Sequence, residues 1–234
     1  SPPMTTNLKV SKIDFFINYF YTRFELAEDK NEAVEIWLDE LDASIDDWDF
    51  QAAIKLLSAI KKLSLPSEAI ALVYMAMGEL QAKEGQFEQA DQSYLKSLRT
   101  AHKFIEKKTE IRILSRFASN LGVQQRYEEA EKHYQDAISL AKDSENLYLL
   151  AQIFFSLAIL FDEQGKWGSA IQAYEDSLAR LDFDADKDNI ARAYNNLGIL
   201  YEKQGDLSQA EEYFHKCLDL LDELDLAYSE SGIR

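Results

Sequence analysis

The sequence predicts an all-α chain of stacked antiparallel helix pairs, on three observations. Helix breakers are scarce, with 8 Gly and 3 Pro in 234 residues, while Ala, Leu, Glu, Gln and Lys, the better helix formers, are plentiful. Apolar residues recur at a spacing near 3.6 along most of the chain, the mark of amphipathic helices. The chain also repeats itself: Ala90, Ala130, Ala170 and Ala210 are each 40 residues from the next, and a fixed period of this length marks a stacked array.

Each copy carries the same residue types around its alanine. Four positions later stands an aromatic (Tyr94, Tyr134, Tyr174, Phe214), and three earlier a bulky apolar residue (Phe87, Tyr127, Trp167, Leu207). Twelve earlier lies a small residue (Gly78, Ala118, Ala158, Gly198), and five earlier a glycine (Gly85, Gly165, Gly205) or, in one copy, Gln125. This spacing predicts two helices per copy, broken by a short turn at the glycine. The small residue of the first helix faces the alanine of the second, so the backbones approach closely and the aromatics fill the space above and below. One pair cannot bury its apolar face alone; stacked pairs can. Gly198 fits this reading, since a mid-helix glycine costs roughly 1 kcal/mol relative to alanine and needs a packing reason.

The pattern resembles the tetratricopeptide repeat family, with Tyr194, Leu197, Gly198, Tyr201, Gly205, Ala210 and Phe214 at its signature positions. The resemblance covers residues 71–223, as repeats at about 71–110, 111–150, 151–190 and 191–223. The period exceeds the family's usual length of about 34. Forty-residue versions occur in bacterial regulators and in animal spindle-orientation adaptors. The resemblance implies a right-handed α-solenoid, with first helices lining a concave face and second helices a convex one.

The ends carry weaker patterns. Residues 1–9, with "SPP" before Met4, read as a tag or disordered stretch. Residues 10–30 place Ile13, Phe16, Ile17, Phe20 and Phe24 on one helical face, with Phe15, Tyr19 and Leu26 as a second stripe. The reading is a helix capping the array; the competing one is a dimer or partner surface. Residues 31–65 read as a degenerate helix pair, with Trp37, Leu41, Phe50, Ala53 and Leu57 on its pattern. Pro66 fits the first turn of the next helix. Residues 224–234 form a tail, and either this tail, another chain or a further stretch of a longer protein covers the final pair.

Composition narrows the function. A net charge of −17 disfavours nucleic acid, whose phosphates need clustered Lys and Arg. The single cysteine, Cys217, excludes an internal disulfide framework and makes a reducing cytoplasm the default. No apolar run reaches the roughly 18 residues of a membrane span. None of His102, His133 and His215 lies i,i+4 from another, and no HExxH, CxxC or nucleophile-elbow motif occurs, so neither catalytic nor metal-binding residues nor a cofactor are expected. Asp182, Asp184, Asp186 and Asp188 alternate as in a calcium loop, but Lys187 and Ala193 stand where such a loop needs glycine and glutamate. A solvated loop supplying a helix N-cap is the better reading. Cys217 falls where the repeat wants a small buried residue.

The candidate site is the concave groove, bound by a protein or peptide partner. Its expected residues are Arg112, Ser115, Arg116 and Ser119 in the second repeat, Phe155 and Ile159 in the third, and Arg192, Asn195, Asn196, Ile199 and Lys203 in the fourth. Leu72 and Met75 are expected to add apolar contact in the first repeat. The arginines offer forked donors for carboxylates or carbonyls. Asn195 and Asn196 donate and accept, although Asn196 also suits a contact to the neighbouring repeat. Residues 96–116 hold seven basic side chains against two acidic ones, so the partner is expected to carry acidic residues. A homodimer through the aromatic N-terminal helix or the C-terminal end is a further expectation. Competing functions are a regulatory domain of a larger bacterial signalling protein or enzyme, and a self-assembling structural element.

Overall fold

The computed structural model describes residues 22–29, 32–33, 36, 54, 57–58, 61, 65–104, 107–142 and 146–230. Among them, eight long helices follow one another: α1 (Ser67–Lys83), α2 (Phe87–Phe104), α3 (Lys107–Val123), α4 (Tyr127–Lys142), α5 (Leu147–Glu163), α6 (Trp167–Leu178), α7 (Lys187–Gln204) and α8 (Leu207–Glu230). No strand occurs among the described residues. The second helix of each repeat starts at its bulky apolar residue, Phe87, Tyr127, Trp167 or Leu207. Helix α8 runs on to Glu230, through the first residues of the expected tail. The expected elements at 1–9, 10–30 and 31–65 lie largely outside the described residues; of their apolar positions, Phe24 and Leu57 are buried and Leu26 is exposed.

The turns inside the repeats share one hydrogen-bond pattern. The amide of the residue after the turn residue reaches back five positions, as Gln86 to Gln81, Arg126 to Leu121, Lys166 to Phe161 and Asp206 to Tyr201, at 2.8–2.9 Å. These bonds satisfy carbonyls that the helix end would otherwise leave orphaned. The pattern needs a left-handed residue, and Gly85, Gly165 and Gly205 sit at φ 73°, 70° and 83°. Gln125 takes the same conformation at φ 60°, which costs a residue with a Cβ about 1–2 kcal/mol. Two expected caps are corrected. Pro66 stands just outside α1, at the N-cap with ψ 153°. Asp186 holds the N-cap position of α7 without capping it by its side chain; its Oδ2 accepts instead from the Asp182 amide at 2.9 Å, tying the loop together.

The chain divides into two compact units, Ser1–Asn120 and Leu121–Arg234. In the first, α1 and α2 run antiparallel, with Ser97 Oγ donating to the Ala71 carbonyl at 2.6 Å and Tyr94 beside Gly78. Phe117 of α3 stacks on Tyr94 with centroids 5.1 Å apart. In the second, α5 pairs with α6 in the same register, with Ser177 Oγ donating to the Ala151 carbonyl at 2.8 Å. A core of Ala158, Ala170, Tyr174, Ala193, Leu197 and Leu200 joins that pair to α7. Cys217 lies 40 residues beyond Ser177, buried with Ile190, Ala191 and Leu220. Burial pushes its thiol pKa up, away from the thiolate that reacts.

Gly78 and Gly198 make room for an aromatic ring. A Cβ on Gly198 would sit 2.6 Å from Cε1 of Phe214, and one on Gly78 2.9 Å from the Tyr94 ring. At these two positions the space is taken by the aromatic four positions after the repeat alanine.

Candidate partner-binding face

The expected site residues divide between the two units. In the first unit, α3 carries Arg112 half-buried, Ser115 half-buried, and Arg116 and Ser119 exposed. The Ser115 hydroxyl donates to the Ile111 carbonyl of its own helix at 2.9 Å. Arg116 Nε lies 3.3 Å from Glu79 Oε1 on α1. Leu72 and Met75, expected as apolar contacts, are buried in the core and present nothing to a partner. Part of the basic run is engaged locally, since Lys96 lies over the Tyr74 ring and Arg99 Nε donates to the Leu95 carbonyl.

In the second unit, α5 and α7 bring the remaining residues together. Arg192 lies with its guanidinium carbon 5.0 Å from the centroid of Phe155, a cation–π contact. Phe155 meets Tyr174 edge-on at 5.1 Å. Asn196 Nδ2 donates to Tyr174 Oη at 2.9 Å, which gives Asn196 the neighbouring-repeat contact. Burial pushes the Tyr174 hydroxyl up to about 12, against the hydrogen bond from Asn196. Lys203 Nζ bonds both carboxylate oxygens of Asp162, at 2.6 and 2.8 Å. Between the Arg192–Phe155 contact and the Lys203–Asp162 ion pair lie Ile159, 40% exposed, and the half-buried Ile199; Asn195 is exposed beside them. The result is a short apolar strip on α5 and α7 with a cation at each end.

Several side-chain hydrogen bonds and ion pairs between consecutive helix pairs run in one direction. Within the first unit, Thr109 donates to Glu68 and Asn120 to Asp91, and Arg116 pairs with Glu79. Within the second, Asn189 donates to Tyr148, Lys203 to Asp162, and Gln164 and Lys166 to Glu131. In each the donor belongs to the later repeat and the acceptor to the earlier one. Sequence reasoning gave Arg116 and Lys203 to a partner and missed these pairings. The available signal is the spacing: Glu68–Thr109, Tyr148–Asn189 and Asp162–Lys203 are each separated by 41 positions, one repeat plus one residue.

The aspartate-rich loop uses its own carboxylates. Asp182 Oδ1 accepts from the amides of Asp184 and Ala185. Among the described residues no group of three or more His, Cys, Asp or Glu is placed to hold a metal ion. No described helix is long and apolar enough to cross a membrane.

Comparison with known proteins places this geometry. Tetratricopeptide repeat models match residues 71–101, 109–182 and 191–223, together more than half of the chain. The chain belongs to the tetratricopeptide repeat family. Its repeats coincide with the helix pairs α1–α2, α3–α4, α5–α6 and α7–α8. Among curated proteins, the chain is 39% identical over 49 residues to regulatory protein RapK of Bacillus subtilis, a match covering 21% of this chain and 13% of that one. Among solved structures, BtubC from P. vanneervenii is similar, with a TM-score of 0.73 at 16% identity over 95% of this chain and 93% of that chain. Aspartyl phosphate phosphatase F of Bacillus subtilis is similar as well, with a TM-score of 0.71 at 17% identity, covering 84% of this chain and 52% of that one. These likenesses show the all-α tetratricopeptide fold.

Proposed function

We propose that the chain is a non-enzymatic scaffold that captures an extended or helical peptide of a partner protein on its first-helix face. The carrying observation is the strip on α5 and α7, where Ile159 stays 40% exposed between two cations. An exposed apolar side chain within a ring of fixed polar groups suits an anchor residue of a peptide. Arg192 at one end favours an acidic flank on that peptide, while Lys203 at the other is held by Asp162. Arg112, Ser115, Arg116 and Ser119 form a polar patch on α3, in which Arg116 pairs with Glu79 and Ser115 bonds its own helix. Membership of the tetratricopeptide family, whose repeats are generally scaffolds, supports this reading, and a cytoplasmic location suits the lone thiol.

Panning the purified chain against a random peptide library tests the proposal. Selected peptides are expected to combine an apolar anchor with acidic residues. Their affinity should fall at least tenfold in Ile159→Asp and severalfold in Arg192→Glu, with unchanged far-UV circular dichroism. Selected peptides that bind all variants equally would remove the strip from the site.

A second reading has its own support in the RapK match. In it, these repeats form the regulatory part of a larger bacterial signalling protein. The complete open reading frame decides this: an effector domain joined to these repeats is expected, and its absence refutes the reading.

A further inference from the structure

The strip on α5 and α7 has a charge direction along its length. Ile159 and Ile199 stand 40 positions apart, at the same place in their repeats. Residues three and four positions after each isoleucine share its helix face. After Ile159 these are Asp162 and Glu163; after Ile199 they are Glu202 and Lys203. Lys203 is tied to Asp162, both of whose carboxylate oxygens it bonds. The exposed carboxylates of Glu163 and Glu202 remain at this end. Helices α5 and α7 also finish here, at Glu163 and Gln204, and the carbonyls of a last turn carry partial negative charge. The other end differs. Seven positions before the isoleucines, two turns back on the same face, stand the neutral Gln152 and the cationic Arg192, both exposed. Asp188, the next charge outward on α7, is a full turn beyond Arg192. The side chains in between, Phe155, Ser156, Asn195 and Asn196, are uncharged.

We propose that the strip takes a dipolar segment of a partner protein, with an apolar anchor between an acidic flank and a basic one, and holds it in a single direction. The acidic flank lies against Arg192 and the basic flank against Glu163 and Glu202. The inference rests on the strip being the binding site. Charge complementarity selects the occupant. A segment acidic on both sides would set its second flank against two exposed carboxylates, and one basic on both sides would meet Arg192, so each repels at one end. A dipolar segment laid in reverse would repel at both. The spacing follows from the helix rise: along the axis, Arg192 lies about 10 Å from the level of Ile199, and Glu202 about 5 Å to its other side. An extended chain advances about 3.3 Å per residue. The acidic residue therefore stands about three positions from the anchor and the basic one about two.

Fluorescein-labelled peptides with a common leucine anchor and different flanks test the proposal. One carries glutamates on one side and lysines on the other, one glutamates on both sides, and one lysines on both. Anisotropy titrations with the full chain in low salt are expected to rank the dipolar peptide tightest, its Kd severalfold below that of either uniform peptide. Added salt should narrow the gap by screening the flanks. Ile159→Asp should weaken all of them. Glu163→Lys/Glu202→Lys should make the doubly acidic peptide the tightest, and Arg192→Glu the doubly basic one. These positions are exposed, so the variants should keep the parent's circular dichroism. Equal Kd values for the dipolar and doubly acidic peptides, both still raised by Ile159→Asp, overturn the charge direction and leave the strip as the site. A ranking unmoved by Glu163→Lys/Glu202→Lys overturns it as well. Absence of saturable binding, or binding indifferent to Ile159→Asp, removes the strip itself and the direction with it. A dimer seen by sedimentation velocity and abolished by Ile159→Asp makes a second copy the occupant, which also overturns the proposal.

Discussion

The ring of Phe214 lies against Gly198 so closely that a Cβ there would fall 2.6 Å from Cε1 and 2.7 Å from Cδ1. Gly198→Ala gains about 1 kcal/mol of helix propensity but forces the ring or the helix to shift, an overpacking cost of about 1–3 kcal/mol. The net expectation is a loss of up to about 2 kcal/mol. Urea unfolding of Gly198→Ala, Phe214→Leu and the double variant checks it. The alanine should be tolerated once the ring is gone, and strict additivity would refute the contact.

Gln125 occupies the left-handed turn position that glycine fills in the other three repeats. Gln125→Gly should stabilise the chain by about 1 kcal/mol, because the strain of a Cβ at positive φ outweighs the added freedom of the unfolded chain. Gly205→Ala should lose about the same amount. The denaturation midpoints report both signs.

Asn120 is buried where Leu80, Leu160 and Leu200 stand in the other repeats. Its Nδ2 donates to Asp91 at 3.4 Å, and its Oδ1 is buried without a hydrogen-bond partner. A buried unsatisfied carbonyl costs about 1–3 kcal/mol. Asn120→Leu should therefore raise stability, with slower amide exchange along α3. A lower midpoint would show that the bond to Asp91 outweighs the orphaned oxygen.

High pH should unfold the chain through its tyrosines. Burial raises the Tyr94 hydroxyl pKa and pushes Tyr174 up to about 12; Tyr201 and Tyr213 are raised as well, again chiefly by burial. A raised folded-state pKa means that the native chain keeps protons the unfolded chain releases. Stability from these groups is full below about pH 10, where free tyrosine titrates, and declines as pH rises towards 12. Urea midpoints between pH 8 and 12 should fall over that window. Tyr174→Phe should flatten the fall while lowering stability at neutral pH by about 1 kcal/mol through the lost Asn196 bond.

The repeat was legible because steric demands recur at fixed spacing. A left-handed turn wants glycine and has it in three of four repeats, and a ring pressed onto a helix wants a small residue beneath it, Gly78 or Gly198 in the outer two repeats and alanine in the inner two. The candidate face was less legible because a charged side chain looks the same whether it meets solvent, a partner or its own neighbour. Lys203 reads as a groove cation, yet Asp162, 41 positions away, already holds it. Asn196 was ambiguous for the same reason, until the Tyr174 hydroxyl 22 positions away appeared beside it. The burial of Leu72 and Met75 depends on what packs over α1, which repeat periodicity does not specify.

The one-way contacts between repeats have an evolutionary corollary. A unit that gives hydrogens at its leading edge and takes them at its trailing edge joins a further unit only where donor and acceptor fall in register. An in-frame duplication of residues 151–190 would keep the following joint, since Lys203 would find the second Asp162 41 positions before it. The new joint would set acceptor against acceptor, because Glu163 of the copy would stand 41 positions after the first Asp162. Growth of such an array by whole 40-residue steps therefore matches in shape before it matches in chemistry, and each new joint needs an exchange of charge.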